Sequence, residues 1–237
     1  MVKNKDVHGK NRSSKILSKA SSFQVVEAYN TLRANLLFSL STSQKKSVIF
    51  TSSEPGAGKS TTCSNLALAM SQTGARVIIL DADMRKPVQH KIFRLNNVDG
   101  LSKLLSGLSP LEDCLLETRS PNLHIITAGP IPPNPSELLG SQRMGYLIEA
   151  LSESYDYIFI DTPPINVVAD ALMFLDQTAG VLLIAKQKQT HYDELQRAAE
   201  KVHNLKGNVL GVIVSSVSVA DKPYKSYSHY AYESSNE

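Results

Sequence analysis

The chain has 237 residues, of which 42% are hydrophobic and 20% charged, with a net charge of +3. That is enough for one sizeable α/β domain of ordinary globular composition. No run of about 18 uninterrupted apolar residues exists, so no membrane-spanning helix is expected. The N-terminus lacks the apolar core and cleavage site of a secretory signal. Cys63 and Cys114 are the only cysteines and have neither metal nor redox spacing; they read as reduced, buried residues of a cytosolic protein.

The charge is uneven. Residues 1–22 hold Lys3, Lys5, Lys10, Arg12, Lys15 and Lys19 against Asp6 alone, which makes this arm +5 and the remainder −2. Such an arm reads as solvated and flexible, with an attraction to anionic lipid or an acidic partner as the sharper reading. It has no aromatic residues for base stacking and the rest of the chain is not basic, so no nucleic-acid partner is expected.

In chain order, residues 23–41 place Val25, Tyr29, Leu32, Leu36 and Leu40 at helical spacing, with Glu27, Asn30 and Arg33 off the stripe. Residues 47–52 read as a buried strand, 59–73 as a helix ending near Gly74, and 76–80 as a second strand. Pro87 marks a short helix start. Short helices are expected around 100–107 and 110–116, and a strand over 123–127. A Pro-rich loop follows over 129–135, then one helix over 136–154. Tyr157–Ile160 is a buried strand, 168–175 a helix, 180–185 a strand, 191–205 a helix and 209–214 the last strand. The near-continuous apolar runs and the alternation of strand with helix predict an α/β fold, a doubly wound, mostly parallel sheet with helices on both faces. From Asp221 onward Ala231 is the only aliphatic residue, so 221–237 reads as a disordered tail and 23–220 as the folded domain.

Between the first strand and helix lies Ser53-Glu54-Pro55-Gly56-Ala57-Gly58-Lys59-Ser60-Thr61. Gly56 and Gly58 permit a tight backbone turn whose N–H groups can approach phosphate oxygens. Lys59 is a point charge for the β- and γ-phosphates, and the Ser60 hydroxyl can ligate Mg²⁺. The helix N-terminus adds to the attraction. Ser53 stands where the phosphate-loop pattern begins with Gly. Open parallel sheets gather their functional groups at the carboxyl ends of strands. Two other strand ends supply acids: Asp81 and Asp83 after the second strand, and Asp161 after Tyr157–Ile160. If the second strand persists through Asp83, both acids share one face.

The tail carries Tyr224, Tyr227, Tyr230 and Tyr232, four of the nine tyrosines. Its 17 residues span at most about 60 Å when extended, enough to reach a neighbouring subunit.

These motifs, with Ile79-Leu80-Asp81-Ala82-Asp83-Met84-Arg85-Lys86-Pro87, Gly129-Pro130-Ile131-Pro132-Pro133-Asn134-Pro135-Ser136-Glu137-Leu138-Leu139 and Ile158-Phe159-Ile160-Asp161-Thr162-Pro163-Pro164, resemble those of the bacterial tyrosine kinases of exopolysaccharide and capsule production. The resemblance covers about residues 23–237 and is to the form whose kinase is a separate polypeptide. It implies ATP and Mg²⁺ as cofactors, with Gly56, Ala57, Gly58, Lys59, Ser60 and Thr61 on the nucleotide. It implies Ser60, Asp81 and Asp161 around the metal, and Asp83 as the group that takes the tyrosine proton. It further implies phosphorylation of the tail tyrosines between subunits and of other proteins. A membrane-embedded activator with a cytoplasmic segment is implied as well, so the kinase would be cytoplasmic and recruited to the inner face of the membrane. A Glu-x-x-Arg-x-x-Arg helix in that family builds a homo-oligomeric ring. Here Glu27 and Arg33 match, but Asn30 stands where the first Arg would be, and Asn cannot reproduce a bidentate guanidinium contact. The competing reading is a partitioning or division-site P-loop ATPase. That class carries a Lys five residues before the loop lysine, and here the position is Glu54.

Overall fold

The computed structural model describes residues 16–18 and 20–217. Most of the basic arm and the tail tyrosines Tyr224, Tyr227, Tyr230 and Tyr232 lie outside the described residues. Ile16 and Leu17, inside the stretch expected as a flexible arm, pack on the body. The Leu17 N–H donates to Asn65 Oδ1 at 2.9 Å.

The described residues form α1 (Phe23–Leu40), β1 (Ser47–Ser52), α2 (Lys59–Ser71), β2 (Val77–Asp81), α3 (Gln89–Phe93), α4 (Leu101–Ser106), α5 (Leu111–Cys114), β3 (Leu115–Glu117) and β4 (Leu123–Ile126). Then come α6 (Pro135–Leu139), α7 (Gln142–Ser154), β5 (Tyr157–Asp161), β6 (Gly180–Lys186), α8 (Tyr192–Asn204) and β7 (Val209–Ser215). The strands make one sheet of order β3-β4-β2-β5-β1-β6-β7, parallel except for the β3–β4 pair.

Every residue of β1 and β2 is buried, because helices cover both faces of the sheet. Alternate side chains serve opposite layers. Val48 and Phe50 join α1 and α2 on one side. Ile49, Ile78 and Leu80 join α4, α7 and α8 on the other. Phe50 and Phe159 meet across β1 and β5 with centroids 4.9 Å apart and planes tilted by 50°. Such a pair adds about 0.5–1.5 kcal/mol beyond its burial. It also locks together the two strands that carry the phosphate loop and Asp161.

Four expectations change. Residues 110–116 are not one helix: α5 stops at Cys114, and Leu115–Glu117 turn into an antiparallel edge strand. The helix expected over 136–154 is two helices, because Gly140 leaves helical geometry and Ser141 takes up extended backbone as the N-cap of α7. Residues 168–175 form short 3-10 turns over Asp170–Leu172 and Leu175–Gln177. β2 ends at Asp81, so Asp83 is not a strand residue sharing a face with it. The Ala82 N–H crosses to the Asp161 carbonyl at 2.8 Å, and Asp83 Oδ1 accepts the Lys86 N–H at 3.0 Å. A side chain that captures the backbone a few residues on makes a turn.

Among the described residues, no helix is long and apolar enough to cross a membrane.

Candidate active site

Three neighbouring strands, β2, β5 and β1, end at one edge of the sheet. Beyond β1 the chain turns through Gly56 (φ +84°) and Gly58 (φ +94°), left-handed conformations that suit glycine. Gly58 is the N-cap of α2, and no side chain caps that end. The first N–H groups of α2 therefore have no intrahelical partner and face outward along its axis. Glu54 does not enter the loop's centre. Its Oε1 accepts the Thr190 hydroxyl at 2.9 Å, and Thr190 Oγ1 in turn accepts the Lys186 N–H at 2.8 Å, pinning the loop to the end of β6. Ser215, the last residue of β7, donates its hydroxyl to the Ala57 carbonyl at 2.6 Å.

Lys59, the first residue of α2, crosses the strand ends. Its Nζ lies 2.8 Å from Asp83 Oδ2, 3.9 Å from Asp161 Oδ1 and 3.5 Å from Ser60 Oγ. Burial is the largest single influence on this ammonium and lowers its pKa. The charges of Asp161, Asp83 and Asp81 together outweigh burial, so its pKa is raised and the group is protonated.

Asp81 and Asp161 are register partners on β2 and β5, and both are fully buried. Burial and then the charge of Asp161 push the Asp81 carboxyl well above the usual carboxylate range. Burial raises Asp161 too, against Lys59 as the strongest opposing influence. Asp81 Oδ2 accepts the N–H groups of Val88 and Gln89 at 3.2 and 3.0 Å. Asp161 Oδ2 accepts Gln89 Nε2 at 2.9 Å. The other oxygen of each, Asp81 Oδ1 and Asp161 Oδ1, is buried without a hydrogen-bond partner.

Two orphaned carboxylate oxygens beside a hydroxyl are what a small divalent cation would satisfy. Among the described residues no group of three or more His, Cys, Asp or Glu is placed to hold a metal. A cation such as Mg²⁺ fits this set, because it takes one or two carboxylates together with phosphate and water oxygens. Asp81, Asp83 and Asp161 also outnumber Lys59, so the cluster carries excess negative charge that a cation would offset.

The structure thus brings Lys59, Ser60, Asp81, Asp83 and Asp161 together, with Gly56, Ala57 and Gly58 forming the loop before them and Thr61 in the first turn of α2. Gln89 escaped the sequence reading. Glu27 and Arg33 lie elsewhere, on α1: Glu27 Oε1 accepts Asn30 Nδ2 at 2.8 Å, and Arg33 donates to the Ala69 carbonyl near the end of α2 at 3.1 Å. Arg85 adds a second cluster nearby. Its guanidinium grips buried Asp170 through two bonds of 2.9 and 3.1 Å and reaches Ser136 Oγ at 3.0 Å, tying the turn after Asp83 to α6.

Comparison with known proteins agrees with this fold. A family model described as ParA, NUBPL iron-transfer P-loop NTPase, matches residues 43–236. Cys63 and Cys114 are buried and free. The chain is similar to the tyrosine-protein kinase YwqD of Bacillus subtilis, at 38% identity over 206 residues, 87% of this chain and 85% of that one. It is similar to the tyrosine-protein kinase CpsD of Streptococcus agalactiae, at 34% identity over 86% of this chain and 89% of that one. Among solved structures it is similar to the chimerical protein CapA2B2, with a TM-score of 0.80 and 38% identity over 85% of this chain and 89% of that one. The chain belongs to the ParA family of P-loop NTPases and, within it, to the bacterial tyrosine kinases.

Proposed function

We propose that this protein is an ATP-dependent protein-tyrosine kinase that phosphorylates its own tail tyrosines on a neighbouring copy, and tyrosines of other proteins, in the control of exopolysaccharide or capsule production. The observation that carries the reading is Lys59, set between Asp83 and Asp161 under a glycine-shaped loop, in a chain whose relatives over most of its length are tyrosine-protein kinases.

Each residue then has a task. The N–H groups of Gly56 through Thr61 cradle the phosphates, and Lys59 neutralises the β- and γ-phosphate charge. Ser60, Asp81 and Asp161 would hold Mg²⁺, which when bound offsets charge on the phosphates and helps align them. Asp83 takes the proton of the tyrosine hydroxyl as the phenolic oxygen forms its bond to the γ-phosphorus and the bond to the β–γ bridging oxygen breaks, releasing ADP. Asp83 Oδ2 is held by Lys59 in this structure. Phosphates draw Lys59 away, so the base is freed only when nucleotide is in place.

Three further elements belong to the proposal. The chain divides into a basic arm over residues 1–22, a kinase domain over 23–220 and a tyrosine tail over 221–237. The last described strand, β7, ends at Ser215, whose hydroxyl is bonded to the phosphate loop. A membrane-embedded activator recruits the kinase to the inner face of the membrane, and copies assemble through the α1 face bearing Glu27 and Arg33. Glu54 speaks against the ATPase reading: a carboxylate tied to Thr190 supplies no cation for hydrolysis in a partner's site.

Incubation with ATP and Mg²⁺, with the activator's cytoplasmic segment added in parallel, should place phosphate on Tyr224, Tyr227, Tyr230 or Tyr232, read by mass spectrometry. Replacing those four by Phe should remove most self-labelling while an added tyrosine substrate is still phosphorylated. A tail that stays bare under every condition would exclude it as the acceptor.

A further inference from the structure

Both carboxylates of the candidate metal set lean on one uncharged residue. Gln89 is fully buried at the start of α3. Its Nε2 donates to Asp161 Oδ2 at 2.9 Å and to the Ser60 carbonyl at 3.3 Å. Its backbone N–H donates to Asp81 Oδ2 at 3.0 Å. Its Oε1 lies 2.8 Å from Ser64 Oγ, whose single proton it shares with the Ser60 carbonyl 2.7 Å away.

This pattern fixes which end of the amide faces which way. Two acceptors, Asp161 and the Ser60 carbonyl, surround the NH₂ group, and the one hydroxyl donor faces the oxygen. A flipped amide would set its carbonyl against a buried carboxylate and a second carbonyl. Gln89 therefore ties β2, β5 and the first turn of α2 to each other at the level of the site. It occupies Oδ2 of each acid and leaves Oδ1 of each without a hydrogen bond, Asp161 Oδ1 facing only the Lys59 ammonium at 3.9 Å.

We propose that Gln89 is a positioning residue for the divalent cation: its backbone N–H and side-chain amide fix the rotamers of Asp81 and Asp161 so that one oxygen of each stays buried and open for the metal. The proposal rests on the kinase reading of the same site. Two acidic side chains facing each other from adjacent strands would otherwise turn apart. The side-chain amide holds Asp161 and the backbone N–H holds Asp81, which keeps the pair in place and the other oxygens available. Groups that orient metal ligands typically change metal affinity about 10–100-fold when removed.

The test is the ratio of ADP affinities without and with Mg²⁺, measured by calorimetry on the full chain, beside the thermal midpoint in EDTA. Gln89→Met keeps volume and removes the amide. Its ADP affinity in EDTA should match wild type, while the tightening by Mg²⁺ should fall about 10-fold or more. In kinase assays the Mg²⁺ concentration for half-maximal rate should rise by a similar factor. Ser64→Ala removes only the donor to Oε1 and should move the same ratio in the same direction by less, which keeps the idea testable if Gln89→Met does not fold. A Gln89→Met protein with a lower thermal midpoint but an unchanged Mg²⁺ ratio would make Gln89 a packing residue and overturn the proposal. A wild-type protein whose ADP affinity ignores Mg²⁺ would instead overturn the metal site itself, before any variant is compared.

Discussion

A pair of charged residues precedes strands β2 and β5 and another closes them, and the two ends are built on opposite principles. At the amino end Arg76 and Asp156 are opposite charges, largely exposed: the Arg76 N–H reaches Asp156 Oδ2 at 2.8 Å and the guanidinium reaches Oδ1 at 3.2 Å. At the carboxyl end, five register positions on, Asp81 and Asp161 are like charges, wholly buried, each with an oxygen left unpaired. Hydrogen bonds with Arg76 hold the Asp156 carboxyl below its usual range, while burial drives Asp81 well above it. The first end stabilises the fold slightly. The second destabilises it, and a chain keeps such an arrangement where a ligand repairs it.

The largest effect expected tests the repaired end. Lys59→Met should lower phosphoryl transfer by a factor of about 1,000 or more, because the ammonium faces charge that develops on the phosphates. It should also lower the thermal midpoint of the nucleotide-free protein, because Asp83 and Asp161 lose the Lys59 ammonium and breaking a buried pair costs about 3–5 kcal/mol. Unchanged labelling of a tyrosine peptide would remove the loop from the chemistry.

The contrast between the two ends also explains what could be read in the sequence. The phosphate loop was legible because its constraints are local: Gly56 and Gly58 must take positive φ, and Lys59 must follow. Asp161 was legible because it closes an apolar run. Asp83 was recognised by type but misplaced by one element, since the turn that carries it depends on a backbone bond from Ala82 to the neighbouring strand. Gln89 was not legible at all. It is uncharged, it sits in a five-residue helix, and its importance appears only once β2 and β5 are known to be neighbours. For the same reason β3, three residues long, gave no periodicity to read. The break at Gly140-Ser141 did have a local signal, a glycine followed by a helix N-cap residue, inside the helical pattern of 136–154.

An intermediate effect of opposite sign is expected at Asp81. Asp81→Asn should abolish Mg²⁺-dependent transfer and yet raise the stability of the ligand-free protein at neutral pH by about 1–2 kcal/mol, through removal of one of two buried like charges. The Asn carbonyl can still accept the N–H groups of Val88 and Gln89, so the start of α3 is kept. Urea denaturation without nucleotide measures this. A destabilised Asp81→Asn would mean that the two ends of the strands do not differ as argued.

The smallest effect lies at the amino end. Asp156→Asn should cost only about 0.5–1 kcal/mol and leave kinase activity unchanged, because an exposed pair gains little in water and is screened by salt. The Asp156 pKa is lowered by folding, so its stabilising contribution is complete at neutral pH, well above the unfolded value of about 3.9. That contribution is lost as pH falls below that value and through the folded one. Wild type and Asp156→Asn should therefore differ in stability at pH 7, by less at high salt, and converge as pH falls below the lowered folded-state value. At Asp81 no such convergence with salt is expected, because a pair with no exposed surface is hardly screened. Salt titration of the two Asn variants side by side separates a charge that belongs to the fold from one held in reserve for a ligand. Equal salt dependence at both ends would erase the distinction.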